Sequence, residues 1–232
     1  ASWKLAPQYP FAAKAMITVS MGSSTDPSAE MRLWLDRSIA VQADYWPSYE
    51  AYLWGMRPRW HGSHEEMIAF ADECLATGRF DTKVPLYYLS AVRKISEDEG
   101  SATYGRPELY EGMRESLLGY LDTNPSPAEE QCRRTTLAVL AYRAGRFEDL
   151  REQWTLLKGE PNRRELGAWE IDRHDLRFRG VIGEGSAALR DALDAAETGD
   201  FAAAITRMER AVTDPSLTPE QSNALTSRLA LL

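Results

Sequence analysis

His61-Gly62-Ser63-His64-Glu65-Glu66 is the one stretch where imidazoles and carboxylates cluster, and the remaining histidine, His174, stands far from it. Such groups can hold a metal ion or shuttle a proton. A metalloprotease helix, however, needs two histidines four apart with a Glu between them, so that both rings reach one ion. Here His61 and His64 are three apart, and a Gly-Ser pair separates them. The same residues serve more simply as a helix start, with Ser63 capping and Glu65 and Glu66 complementing the positive end of the helix dipole. No metal, no cofactor and no catalytic residue is expected from this cluster.

Just upstream, residues 45–60 concentrate Tyr45, Trp46, Tyr49, Tyr52, Trp54 and Trp60, interleaved with Arg57 and Arg59. Exposed rings in that density stack on sugars, bases or cationic groups, and the arginines offer anion contacts. Rings at helical spacing, as at Tyr45, Tyr49 and Tyr52, equally fill a core. The candidate ligand or partner surface comprises Trp46, Tyr49, Tyr52, Trp54, Arg57, Arg59, Trp60, His61, His64 and Glu65. Within it, Pro58 to Ser63 reads as a sharp chain reversal, with Trp60 packed inward and Arg59 anchoring helix ends or an acidic neighbour.

Other chemistries find less support. Gly180, Gly183 and Gly185 follow no strand, so they read as an interhelical loop capped by Ser186 rather than a phosphate cradle. No Gly-x-Ser-x-Gly elbow occurs. Cys74 and Cys132 have no metal-ligand spacing and sit among apolar helical positions, as buried thiols do. Glu97-Asp98-Glu99 and Glu129-Glu130 read as solvated helix ends.

The elements that carry these residues announce themselves by period. Residues 1–27 hold Pro7, Pro10, Gly22 and Pro27 around a short apolar stretch and read as an extended arm laid on the body; residues 28–232 read as one helical-repeat domain. Asp26-Pro27 starts a helix to about residue 43. Capping boxes at Ser63, Ser126 and Thr218 start three more. Further helices are expected over 46–56, 82–97, 107–121, 147–157, 163–180 and 187–198, because apolar residues recur at three and four rather than at two.

An internal repeat organises these helices. Gly78-Arg79-Phe80, Gly145-Arg146-Phe147 and Gly199-Asp200-Phe201 each place a Phe two residues after a Gly. Seven and four residues before the Gly stand small residues: Ala71 and Cys74, Ala138 and Ala141, Ala192 and Ala195. After it come Leu150, Trp154, Leu157 and Pro161 in one copy, and Ala204, Met208, Ala211 and Pro215 in another. Gly ends a helix in the left-handed conformation, small residues allow close helix approach, and Phe147 and Phe201 are expected to be buried between the helices they separate.

This pattern resembles the tetratricopeptide repeat, well around Gly199 to Pro215, fairly around Gly145 to Pro161 and poorly after Phe80, where Lys83, Pro85 and Ser90 break it. Separately, Tyr49 to Leu53 followed by Pro58-Arg59-Trp60-His61-Gly62-Ser63 resembles an uncharacterised bacterial domain family with a Pro-Arg-Trp-x-Gly-Ser turn ahead of a helical-repeat body. The resemblances imply an all-α fold of irregular stacked helical hairpins, a tetratricopeptide-like superhelix, and supply no catalytic residue.

Length and charge bound the function. The chain of 232 residues carries Lys+Arg 27 against Asp+Glu 35, a net charge of -8. That balance argues against nucleic acid or anionic lipid held by bulk charge, and points instead to a basic or mixed-charge partner. No apolar run is long enough for membrane insertion. The chain begins Ala1-Ser2-Trp3 without a signal-peptide pattern, which reads as an excised or processed piece and leaves an upstream targeting segment open. The expectation is a cytoplasmic, non-enzymatic scaffold or adaptor for a protein or peptide, its oligomeric state undefined. Two alternatives are an enzyme or small-molecule binder using residues 45–66, and a toxin-neutralising or secretion-associated protein.

Overall fold

The computed structural model of the protein describes residues 7–23, 25–60, 62–183 and 187–230. Among the described residues there are thirteen α-helices, three short 3-10 turns and no strand. The chain divides into two compact units, Ala1–Asn124 and Pro125–Leu232.

The first unit contains α1 (Pro10–Ser23), α2 (Pro27–Val41), α3 (Trp46–Gly55), α4 (His64–Ala76), α5 (Tyr87–Glu99) and α6 (Pro107–Leu121), with 3-10 turns at Pro58–Trp60, Val84–Leu86 and Ser101–Gly105. Helix α1 corrects the expected extended arm: residues 10–23 are helical and pack on α2 and α3. The prolines mislead because Pro10 occupies the first helical position, where no amide donor is needed, and Pro27 does the same for α2. Ala13, Ile17, Ser20 and Met21 then bury one face at helical spacing.

The second unit contains α7 (Pro127–Arg143), α8 (Phe147–Leu156), α9 (Arg163–Ala168), α10 (Arg173–Ile182), α11 (Ala187–Glu197), α12 (Phe201–Val212) and α13 (Pro219–Leu229). The single helix expected over 163–180 is two. Its first part ends at Glu170, which takes a φ of 54° while the Ile171 amide donates to the Leu166 carbonyl, and Asp172 then caps α10 through the amides of His174 and Asp175. A left-handed Glu carries no sequence signal comparable to a Gly.

The Gly-centred hairpins form as their spacing requires. Gly145 and Gly199 have φ values of 67° and 82°, and each is followed by an amide that closes a six-residue turn, Arg146 N–H to Ala141 O and Asp200 N–H to Ala195 O. The small residues Ala138, Ala141, Ala192 and Ala195 are buried, as are Leu150, Trp154, Leu157, Ala204, Met208 and Ala211 on the helices that follow. Phe178, Ile182, Leu189, Leu193 and Leu225 join Met208 in one core of this unit. After Gly78 the pattern fails, because Pro85 lies in a 3-10 turn, Val84–Leu86, and α5 begins only at Tyr87.

The phenylalanines of the turns differ from expectation. Phe201 is 55% exposed and Phe147 only half-buried, so neither is sealed between helices. Phe201 borders an open concavity of about 260 Å³ with Phe178, Leu193 and Met208, which leaves its ring uncovered. Phe147 lies beneath the Arg179 guanidinium, whose carbon is 4.4 Å from the ring centroid. Phe80 finds a different partner. It packs over Gly119 of α6, where an added Cβ would come within 2.1 Å of the ring, and meets Tyr120 edge-on.

Of the three expected capping boxes, those at Ser126 with Glu129 and Thr218 with Gln221 are reciprocal, and Ser63 accepts from the Glu66 amide. Gln221 does more than close its own helix. Its side chain is buried, with Oε1 accepting from the Thr218 amide while Nε2 lies 3.5 and 3.4 Å from the Val181 and Ile182 carbonyls at the end of α10.

Candidate functional site

The aromatic segment folds as α3 followed by the Pro58–Trp60 turn, and the helix sorts its rings by face. Tyr49 and Tyr52 point into the core. Tyr49 stacks on Tyr87 with centroids 5.2 Å apart and donates to the Ala43 carbonyl at 2.6 Å, while Tyr52 meets Phe70 edge-on at 4.8 Å. Burial pushes the Tyr49 phenol up to about 12 and raises Tyr52 as well, so neither supplies a proton near neutrality. These two residues are scaffold.

Trp46 and Trp54 stand on the opposite face, eight residues apart, with exposures of 58% and 40%. Glu50 lies between them on that face, and its carboxylate meets Lys94 of α5 at 3.7 Å. Tyr87 of α5 donates to the Trp46 carbonyl at 2.8 Å. Long side chains therefore bridge α3 and α5, and the exposed seam along them, from Trp46 to Trp54, is termed the groove. One end opens into a concavity of about 280 Å³ lined by Trp46, Glu50, Lys83, Leu86, Tyr87 and Ser90. At the other, the Trp54 ring carries Arg59 at 4.3 Å, with Arg57 and Lys94 at 5.3 and 5.9 Å.

Trp60, expected to pack inward, is 37% exposed. Its 3-10 turn leaves it partly open to solvent, and Arg57 is the residue of this segment that goes inside. Only 5% exposed, Arg57 donates to Asp98 at 2.6 Å and Glu97 at 3.1 Å. The guanidinium holds the Asp98 carboxyl below the usual range. Glu97-Asp98-Glu99 is thus no merely solvated helix end. His64 Nδ1 lies 2.5 Å from Glu99 and its Nε2 3.3 Å from Asp98, and Arg106 reaches Glu99 at 3.2 Å. The close reversal depends on Gly62, where a Cβ would fall 2.0 Å from the Met56 carbonyl oxygen. Glu65 is exposed on the first turn of α4, its carboxyl lowered by backbone and Ser63 hydrogen bonds, and His61 lies outside the described residues.

No family model, curated protein or solved structure matches this chain. Its site is accordingly read from its own geometry.

Of the sequence candidates, the structure brings Trp46, Trp54 and Arg59 to one groove, buries Arg57 against Glu97 and Asp98 beside it, and places His64 against Asp98 and Glu99. It withdraws Tyr49 and Tyr52 into the core. Sequence reasoning missed Glu50, Lys83, Tyr87 and Lys94, which complete the groove. Ser90 and Lys94 follow Tyr87 at roughly helical spacing, a polar stripe visible in the sequence only once α3 is known to lie beside it. Among the described residues, no three His, Cys, Asp or Glu side chains are grouped to hold a metal ion. Cys74 is buried, with its thiol pushed up to about 12 by desolvation, and the half-buried Cys132 rises to about 11 for the same reason. Both are poor nucleophiles at neutral pH. No described helix is long and apolar enough to cross a membrane.

A second concavity, about 420 Å³, lies between α10 and α13 and is lined by His174, Arg177, Phe178, Val181, Asn223 and Ala224 among others. It is larger than the one beside Trp46. Phe178 and Val181 are nevertheless almost fully buried at its base, and its rim mixes Arg177 and Arg228 with Glu220, so its chemistry selects no ligand. The α3–α5 groove, with two exposed indoles, is the more informative surface.

Proposed function

We propose that the protein is a non-enzymatic binding scaffold that takes a peptide segment of a partner protein in the groove between α3 and α5. The observation that supports this reading is the outward placement of Trp46 and Trp54 on one face of α3, while Tyr49 and Tyr52 of the same helix fill the core. Burying an indole would favour folding, so two left in a bridged groove point to burial against something else. Trp is also the residue type most enriched at interface positions that dominate affinity. We assign the Gly145 and Gly199 hairpins to the tetratricopeptide type, on the left-handed glycines and the buried small residues before them. Such units commonly present surfaces to peptides or helices.

The test is selection of peptides from a random dodecamer phage library on the immobilised protein, followed by fluorescence anisotropy with the selected peptides. Trp46→Ala and Trp54→Ala should each weaken binding at least tenfold while leaving the melting curve nearly unchanged. Failure to enrich any peptide, or enriched peptides indifferent to both changes, overturns the proposal.

A further inference from the structure

The groove has an uneven charge balance that narrows its occupant. The whole chain has an excess of acid, with net charge -8. In the groove the balance reverses. Glu50 is matched by Lys94, whereas Lys83 at the Trp46 end and Arg59 at the Trp54 end form no ion pair among the described residues. Both are exposed. The carboxylates near Trp54, on Glu97, Asp98 and Glu99, already hold Arg57, His64 and Arg106. Arg59 stands over the Trp54 ring, its guanidinium carbon 4.3 Å from the centroid, a cation–π contact that leaves its charge without a carboxylate partner among the described residues.

Length supplies the spacing. Eight helical residues separate Trp46 from Trp54, roughly 12 Å at 1.5 Å per residue. An extended peptide covers that distance in about four residues at roughly 3.3 Å each. The concavity beside Trp46, about 280 Å³ and walled by Leu86 and the Tyr87 ring, has room for one apolar side chain. Two unpaired cations bracketing an apolar floor are complementary to anionic groups on either side of an apolar residue.

Resting on the peptide-binding reading above, we infer that the partner segment is acidic: an apolar residue seated beside Trp46, flanked by carboxylates that meet Lys83 at the Trp46 end and Arg59 at the Trp54 end. The overall acid excess, which points to a basic or mixed-charge partner, describes the surface as a whole and not this groove. The inference requires that affinity fall with ionic strength, since both cations are exposed and screened.

The experiment compares the phage-selected peptides on the intact protein and on Lys83→Glu and Arg59→Glu variants. The expected result is enrichment of Asp or Glu on both sides of an apolar residue, with about tenfold weaker binding to each charge-reversed variant. A peptide in which the carboxylate paired with Lys83 is replaced by Lys should regain affinity for Lys83→Glu. Selected peptides that depend on Trp46 but carry no acidic bias, or that bind the charge-reversed variants unchanged, would overturn the acidic partner and leave the groove standing. Peptides indifferent to both Trp46→Ala and Trp54→Ala would instead remove the groove itself.

Discussion

Removing either member of the Arg57–Asp98 pair should have unequal consequences, because the two partners differ in exposure. The Arg57 side chain is 7% exposed, whereas Asp98 and Glu97 are 36% and 53% exposed. Asp98→Ala deletes a charge-assisted hydrogen bond of 2.6 Å and leaves a buried guanidinium with Glu97 alone. A bond of that kind contributes about 1.5 to 3 kcal/mol, and an under-compensated buried charge adds to its loss. Solvent reaching the Asp98 side discounts the total, so about 2 to 3 kcal/mol is expected. Arg57→Met should cost only about 1 kcal/mol. The carboxylates return to water, and the Met side chain retains the packing of the arginine stem. Once Arg57 is gone, adding Asp98→Ala removes only the 3.3 Å contact with His64 and should cost little further, so the double variant should resemble Arg57→Met. Urea unfolding followed in parallel by tryptophan fluorescence and far-ultraviolet circular dichroism gives the three free energies, provided the two probes coincide. If Arg57→Met is the more damaging single change, or the two effects simply add, the burial asymmetry does not govern this site.

Other changes discriminate equally well. Met208→Ala should cost about 2 to 5 kcal/mol because Met208 is fully enclosed, whereas Phe201→Ala, at a ring 55% exposed, should cost under about 1 kcal/mol in the same urea titration. Gly145→Ala forces a side chain into the left-handed region and should lower stability by about 1 to 2 kcal/mol, read as a shifted urea midpoint with unchanged slope. The Asp98 carboxyl is held below its ordinary 3.8, so the folded state binds fewer protons than the unfolded state as pH drops. The stability it contributes is complete above that ordinary value and is lost as pH falls through the lower folded one; urea midpoints from about pH 5 to about pH 2.5 should show a shallower acid decline in Arg57→Met.

Helix starts were readable in the sequence wherever a cap and a periodic face coincided, as at Asp26, Ser126 and Thr218. Hairpin turns were readable because glycine is the residue that accepts a left-handed angle cheaply, and the buried alanines before Gly145 and Gly199 follow from that spacing. Helix α1 was hidden because its prolines, used as first-turn residues, look like breakers when the buried face at Ala13, Ile17 and Met21 is not counted. The break at Glu170 was hidden for the opposite reason, since a residue with ordinary helix propensity takes the left-handed angle there. At the candidate site, residue types identified the aromatic segment but not its sorting. Which ring faces inward depends on α5, supplied from forty residues away, and the partners of Arg57 belong to that same helix.

The buried Gln221 side chain spans two helix termini, closing the start of α13 and approaching the last carbonyls of α10. Fraying at either end costs the contacts of both. Opening of the first turn of α13 therefore also costs the contacts with α10, and its amides should exchange with solvent more slowly than those of a helix start capped by its own residues alone. Gln221 thus couples the start of α13 to the end of α10 even though thirty-six residues separate the end of one from the start of the other.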